Sequence, residues 1–378
     1  MSFKDLQLNA TILQTVETCG YKKPTPVQVQ AIPPILKNLD VVASAPTGTG
    51  KTAAYVLPIL DRLAIKKSVG KPRVLILAPT RELASQIAQT INKYGRNFRF
   101  KIVNIVGGMP YQQQLRELSG AVDIVIATPG RLTDHLNNKR LDLSRIETLV
   151  LDEADRMLDM GFINDVKKII AFTPKNRQTL LFSATIDSEL MAIVKTFMRQ
   201  PVKISLLHEK HAPSLIKQEL YMVDNSRHKN NLLMYFVNET NVYKAIIFSA
   251  TKRNAGKLAN FLRDNGHAAA PLHGDLKQSV RNRTLEQLRR GKIQYLVATD
   301  VAARGIDVLD ISHIINYDLP RFSEDYVHRI GRTGRAGKSG TAISFAVPAD
   351  RKNLHSIERY IGKSLPRHTI AGLEPLER

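Results

Sequence analysis

The sequence predicts an α/β fold of two domains, each built on a mostly parallel sheet flanked by helices. Three observations predict it: short apolar runs that do not alternate with polar residues, helix-like stretches between those runs, and a length of 378 residues. At about 150 residues per domain, that length suggests about two to three domains. Runs rich in Val, Ile and Leu without alternation are the pattern of strands covered on both faces.

The strands follow in order. In the first half they are Val41 to Ala43, Val74 to Leu77, Val122 to Ala127, Thr148 to Leu151 and Thr179 to Phe182. In the second half they include Ala245 to Phe248, Tyr295 to Ala298, His313 to Asn316 and Thr341 to Ala346. Helical stretches between them include Glu82 to Tyr94, Asp165 to Ala171, Lys252 to Asn265 and Ser279 to Arg290. Strands alternating with helices imply a parallel sheet, whose ligands bind beyond the carboxyl ends of the strands. The polar stretch Leu207 to Lys217, with Pro213, reads as the linker. The domains are then residues 1–207 and 218–378, with 208–217 between them. The basic loop Lys66 to Arg73 reads as solvated surface.

Composition narrows the function. Apolar residues at 43% and charged residues at 24% fit a globular chain and exclude disorder throughout. A lone Cys19 cannot form an intrachain disulfide. The start, Met1 to Ala10, lacks the pattern of a signal peptide, and no apolar run approaches the roughly 20 residues that span a bilayer. The expected setting is cytoplasmic, with no membrane partner. Fifty-five Lys plus Arg against 34 Asp plus Glu gives +21, a charge that attracts phosphate polyanions, nucleic acid foremost. Aromatics at 6%, with no Trp, argue for contacts to the nucleic-acid backbone over base stacking.

Ala45-Pro46-Thr47-Gly48-Thr49-Gly50-Lys51-Thr52 follows a strand and precedes an apolar helical pattern. Apart from Ala45 at its first position, it fits a P-loop. Gly48 and Gly50 let the backbone N–H groups turn toward phosphate oxygens. Lys51 can reach the β/γ-phosphates, the Thr52 hydroxyl can ligate Mg²⁺, and the helix start adds its dipole. At the next informative strand end, Asp152-Glu153-Ala154-Asp155 places three carboxylates in four positions. They repel unless a cation such as Mg²⁺, arriving with a nucleotide, is present. Asp152 then holds the metal shell and Glu153 activates the attacking water. The competing reading is an acidic helix start.

His328-Arg329-Ile330-Gly331-Arg332-Thr333-Gly334-Arg335 gathers three arginines, the residue that best neutralises a transferring phosphoryl group. They reach the cradle only if the second domain closes on the first; the competing reading is a surface for RNA phosphates.

This combination resembles the DEAD-box family of ATP-dependent RNA helicases, whose name is spelled by Asp152 to Asp155. The resemblance runs over nearly the whole chain with the motifs in family order, and within the family it is to the RhlE-like bacterial subgroup. It implies two RecA-like domains that sandwich ATP with Mg²⁺ and grip RNA across both. Gly20 to Gln28 resembles the Q motif, within a segment 1–29 that includes the upstream aromatic Phe3. Tyr21 would stack on adenine and Gln28 would read its edge, an amide carrying both donor and acceptor. Ser183-Ala184-Thr185 matches the motif that links hydrolysis to strand separation, its hydroxyls reaching Asp155; a capped helix start is the other reading.

For RNA, the resemblance implies Thr80 and Arg81, Gly107 and Gly108, and Thr128 to Arg131 in the first domain. In the second it implies Gln278 to Arg281 and Val297 to Asp300, above all Arg281 and Thr299. Asp307 would hold the ribose hydroxyls, while Arg332 and Arg335 would face the γ-phosphate. Ribosomal precursors or RNA-degradation proteins are family-level partners. The sequence ends at Arg378 without the basic tail that the subgroup often carries; either the chain was cut or this member lacks it, which leaves tethering of substrate through a tail open. Two rival functions share these motifs in whole or part: an ATP-gated RNA clamp that does not unwind, and a DNA translocase of the same superfamily. A non-enzymatic RNA binder would not need Lys51 and Glu153 together.

Overall fold

The computed structural model describes the chain except residues 47, 66–69, 187, 207–215, 240–241, 304–309, 335–338 and 377–378 and the side chain of Glu324. The chain divides into two compact units, Met1–His208 and Glu209–Arg378.

The first unit carries β1 (Val41–Ser44), β2 (Val74–Leu77), β3 (Ile102–Ile105), β4 (Ile124–Ala127), β5 (Thr148–Asp152), β6 (Gln178–Ser183) and β7 (Val202–Ser205). Its helices are α1 (Ala10–Thr18), α2 (Pro26–Leu36), α3 (Lys51–Ile65), α4 (Arg81–Tyr94), α5 (Tyr111–Leu118), α6 (Pro129–Asn137), α7 (Ala154–Asp159), α8 (Ile163–Ala171) and α9 (Ser188–Phe197). The strand order is β3-β4-β2-β5-β6-β1-β7 and every pairing is parallel. The apolar runs are continuous because both faces are covered. Val41 and Ala43 face one buried cluster with α2, α3 and α4, and Val42 faces another with α6, α8 and α9.

The second unit repeats the plan with β8 (Ile216–Met222), β9 (Ala245–Phe248), β10 (Ala269–Leu272), β11 (Tyr295–Ala298), β12 (His313–Asn316), β13 (Gly340–Ala346) and β14 (Arg367–His368). Its helices are α10 (Ser226–Asn238), α11 (Lys252–Asp264), α12 (Gln278–Arg289), α13 (Asp300–Ala303), α14 (Ser323–Ile330) and α15 (Arg351–Ile361). The order is β10-β11-β9-β12-β13-β8-β14, again parallel throughout. Ile246 and Phe248 point to one cluster and Ala245 and Ile247 to the other. Among the described residues no helix is long and apolar enough to cross a membrane.

Two expectations need correction. β8 begins at Ile216, so Ile216 and Lys217 belong to a strand and not to the linker; Ile216 is buried against the second sheet. In the basic loop, Lys71 is solvated and pairs with Asp142, but Arg73 is only 3% exposed and forks onto Glu147 at 2.9 and 3.0 Å. It sits one residue before β2, where the strand carries it into the sheet.

Candidate nucleotide and RNA sites

The strand order decides what meets at the carboxyl edge of the first sheet. β5, β6 and β1 are neighbours, so the loops that follow them lie side by side. Those loops carry the carboxylates, Ser183-Ala184-Thr185 and the glycine-rich cradle. On the remainder of the same edge, β3, β4 and β2 are followed by Gly107-Gly108, Thr128 to Arg131, and Thr80-Arg81.

In the cradle, Gly48 and Gly50 have φ of +82° and +90°, a region that glycine enters at no steric penalty. A Cβ on Gly50 would lie 2.6 Å from the Gln28 amide nitrogen, so that amide would have to shift. Lys51 opens α3 and is buried; its ammonium donates to the carbonyls of Ala45 at 2.5 Å and Pro46 at 3.2 Å. Burial holds its pKa below the usual lysine value, against the pull of Asp152, Glu153 and Asp155. The Thr49 hydroxyl donates to the Pro46 carbonyl at 2.7 Å, and Thr52 lies in the first turn of α3. Ala45 closes the loop base with its N–H on the Ser183 carbonyl at 3.1 Å. Thr47 lies outside the described residues.

Asp152 is buried at the tip of β5. Its carboxylate accepts from the Tyr55 hydroxyl at 2.8 Å and from the Glu153 N–H at 3.0 Å. Burial, then the neighbouring Glu153 charge, pushes its pKa up to about 6, while Tyr55 and Lys51 oppose the rise. Tyr55, which the sequence reading did not single out, lies four residues after Lys51 on the same helix. Glu153 is half-buried and adopts φ 50°, ψ 53°, a left-handed conformation unusual for a residue with a side chain. Glu153 is also the residue before α7, with Asp155 in the first turn, so the acidic helix start read from the sequence is present as well.

Asp155 turns the other way. One oxygen accepts from the N–H groups of Ala184 at 3.0 Å and Thr185 at 2.9 Å and from the Thr185 hydroxyl at 3.2 Å. Its own N–H donates to the Ser183 hydroxyl at 3.2 Å. The tips of β5 and β6 are thus tied together, and α9 starts only at Ser188, so Ser183 to Thr185 do not cap it.

Because the charged form of Asp152 is disfavoured in the fold, the sign of its pH effect follows. The group contributes full stability below the ordinary carboxylate value of 3.8, and this is lost as pH rises through about 6. A shift of about two units corresponds to roughly 3 kcal/mol. Asp152→Asn, without metal or nucleotide, is therefore expected to be more stable than the parent at pH 8, by up to about 3 kcal/mol. It should match the parent at pH 4. Thermal unfolding at the two pH values checks this; equal stability at pH 8 contradicts it.

The Q-motif residues pack beside the cradle. Gln28 is buried: its oxygen accepts from the Thr25 N–H at 3.0 Å and its amide donates to the Gly50 carbonyl at 3.3 Å. Tyr21 is exposed, with the Lys93 ammonium 4.9 Å above its ring. Phe3 is buried in the core beside α2.

On the other half of the edge, Thr80 is buried and caps α4 by accepting from the Leu83 N–H at 3.2 Å. The Arg81 guanidinium lies so close over Gly107 and Gly108 that a Cβ on Gly108, at φ +74°, would collide with it. Thr128 is the residue before Pro129 at the start of α6, and its hydroxyl accepts from the Gly107 N–H at 3.4 Å. Arg131 donates to the Met109 carbonyl at 3.0 Å and stacks over Tyr111. The loop is further held by the fully buried Gln114, which donates to the Val106 carbonyl at 3.1 Å; no sequence signal marked it.

In the second unit, Arg281 is buried on α12 and reaches the His273 carbonyl at 3.4 Å, while Thr299 precedes α13 at the tip of β11. The arginine cluster divides. Arg329 is locked: its guanidinium grips Asp300 at 2.6 and 2.8 Å, Asn316 at 3.0 Å and the Asp318 carbonyl at 2.6 Å. Asp300, read as part of an RNA loop, is thereby a structural anchor. Asp318 was not anticipated; it accepts from Lys229 at 2.8 Å, Ser249 at 3.2 Å and the Ala250 N–H at 2.9 Å. Arg332 follows α14 and is largely buried. Asp307 and Arg335 lie outside the described residues.

No ligand is present, so the fit of Mg²⁺ rests on the donor set. Among the described residues no group of three or more His, Cys, Asp or Glu could hold a metal. Two oxygen donors, Thr52 and Asp152, suit an ion bound largely through phosphates and water.

Residues 25–193 match the DEAD/DEAH box helicase family and residues 228–337 the helicase conserved C-terminal domain. The ATP-dependent RNA helicase SrmB of Haemophilus influenzae is 42% identical over 99% of this chain and 86% of its own length. The DEAD-box ATP-dependent RNA helicase CshA of Geobacillus kaustophilus is 41% identical over 97% of this chain and 78% of its own. The structure of S. cerevisiae Dbp5 bound to RNA and ADP BeF3 superposes with a TM-score of 0.88 at 33% identity, covering 97% of this chain and 95% of that one. With nucleotide-cradle, carboxylate and relay loops on adjacent strand tips and relatives this similar along nearly its whole length, the chain belongs to the DEAD-box helicase family.

Proposed function

We propose that this chain is an ATP-dependent RNA helicase that hydrolyses ATP to ADP and phosphate and couples this to RNA binding and local strand separation. The observation that carries the reading is the division of one sheet edge. The β5-β6-β1 tips hold the cradle and carboxylates, and the β3-β4-β2 tips hold the backbone-reading loops.

Gly48, Thr49, Gly50, Lys51 and Thr52, with Ala45, Pro46 and Thr47, cradle the phosphates, and Tyr21 and Gln28 select adenine. Mg²⁺ would be held by Thr52 and Asp152 and would neutralise phosphate charge. Glu153 orients the attacking water and takes its proton. Arg332 and Arg335 of the second unit neutralise the γ-phosphate, and Asp307 holds the ribose. The tie from Asp155 to Ser183 and Thr185 supports a coupling role, because it joins the hydrolytic strand tip to its neighbour. Thr80, Arg81, Gly108, Thr128 and Arg131, with Arg281 and Thr299, contact RNA phosphates and sugars, so binding is sequence-tolerant. Ribosomal precursors or RNA-degradation proteins are the proposed context, in the cytoplasm, and the RhlE-like placement stays with the sequence resemblance.

The test is steady-state ATPase with and without RNA, joined to unwinding of a short RNA duplex. RNA stimulation with unwinding supports the reading. Stimulation without unwinding replaces it with an ATP-gated clamp, and equal stimulation by DNA replaces it with a DNA translocase. Gln28→Ala is expected to reduce the preference for ATP over GTP at least tenfold, about 1.4 kcal/mol. Its amide is the group poised to exchange the Gly50 carbonyl for adenine. Competition binding of the two nucleotides checks this; an unaltered preference removes the adenine-reading role.

A further inference from the structure

We propose that the amino-terminal edge of the first sheet carries a second anion site, which takes a phosphate-bearing ligand between Arg62, Arg145 and Arg177. The site is a cavity of about 420 Å³ lined in part by Asn38, Arg62, Arg73, Arg145, Glu147 and Arg177. That volume falls within the roughly 300–1,000 Å³ of small-ligand pockets. β2, β5 and β6 are neighbours in the sheet, so Arg73, Glu147 and Arg177, each one residue before its strand, form a row. Arg62 enters from the far end of α3. The row is separated from the nucleotide cradle by the length of β5, roughly 16 Å for its five residues.

The charge of this row does not balance. Glu147 neutralises Arg73 through both oxygens. Among the described residues Arg62 donates to neutral acceptors: Asn38 at 3.1 Å, Thr148 at 3.2 Å and the Ile35 carbonyl at 2.8 Å. Arg177, 6% exposed, donates to the carbonyls of Pro174 at 2.9 Å and Phe197 at 3.4 Å. Its buried Nε–H has no acceptor among the described residues. Burial pushes the pKa of both arginines below the usual guanidinium value, against the upward pull of Glu147 and Asp61 on Arg62 and of Asp40 on Arg177. Arg145 stands exposed on the rim. Burying a guanidinium whose hydrogen-bond acceptors are neutral is costly, and guanidinium forks match phosphate oxygens in geometry as well as sign. The ligand chemistry is therefore a phosphoryl oxyanion, supplied by a free polyphosphate or by an RNA backbone outside the helicase groove.

The test titrates pyrophosphate into the full chain with its cradle saturated by ADP, read by calorimetry. One pyrophosphate per chain is expected, with affinity at least tenfold weaker in Arg145→Glu. Ser144→Asp, on the same exposed rim, should repeat the loss without removing an arginine. No binding at millimolar pyrophosphate, or unchanged affinity in both variants, overturns the site. RNA binding without nucleotide then separates the sources. Several-fold weaker RNA affinity in Arg145→Glu assigns the site to a backbone phosphate. Unchanged RNA affinity with lost pyrophosphate binding assigns it to a free phosphate ligand.

Discussion

Lys51→Ala abolishes RNA-stimulated ATP turnover, with an expected fall of at least about 100-fold in kcat/KM, or about 2.7 kcal/mol of transition-state stabilisation. The expectation rests on where the ammonium sits. It is buried at the first residue of α3 and holds the carbonyls of Ala45 and Pro46, the loop that the phosphates must enter. In the proposed complex the phosphate oxygens replace those carbonyls as acceptors, so the same donor that shapes the free loop stabilises the charge of the reaction. The fold should survive, because the lysine is already held below its ordinary pKa by burial and its loss removes a desolvated charge. Steady-state ATPase with saturating RNA, alongside thermal unfolding, checks both halves. Turnover at the parent rate in a folded variant would show that the phosphates are bound elsewhere.

Glu153→Gln slows hydrolysis by an expected 10²- to 10⁴-fold, the usual range for loss of a positioned general base. It leaves ATP-dependent RNA binding intact. The two effects separate because the role proposed for Glu153 is proton transfer from water and not contact with phosphate or RNA. Asp152 is held by Tyr55, Asp155 by Ala184 and Thr185, and Glu153 takes a left-handed backbone conformation between them. Glutamine keeps the size and one acceptor but cannot take a proton. Single-turnover hydrolysis and RNA binding in the presence of ATP are the measurements. A variant that loses ATP-dependent RNA affinity would move Glu153 from proton transfer to binding.

The legible strands and the missed ones differ for a physical reason. Val74–Leu77, Ala245–Phe248, Tyr295–Ala298 and His313–Asn316 stand in the structure at the bounds their apolar runs suggested, because they are central strands buried on both faces. The strands that no apolar run marked include all four sheet edges, β3, β7, β10 and β14. β7 alternates with exposed residues, β14 is exposed at both positions, and β10 contains Pro271, which an edge tolerates. β8, beside an edge, was hidden because its start lay inside a polar stretch.

At the site the same division holds. Local sequence determined the cradle, since Gly48 and Gly50 are needed wherever a backbone must turn to positive φ, and it determined which carboxylates follow β5. Tertiary structure alone decided their fates: Asp155 tied to β6, Asp152 pushed toward neutrality by burial, Arg329 locked onto Asp300, and Arg73 drawn from a basic loop into the sheet. Backbone conformation is set by neighbours in sequence. The charge and partners of a side chain are set by whichever strands the fold places beside it, and strand order is a property of the whole domain.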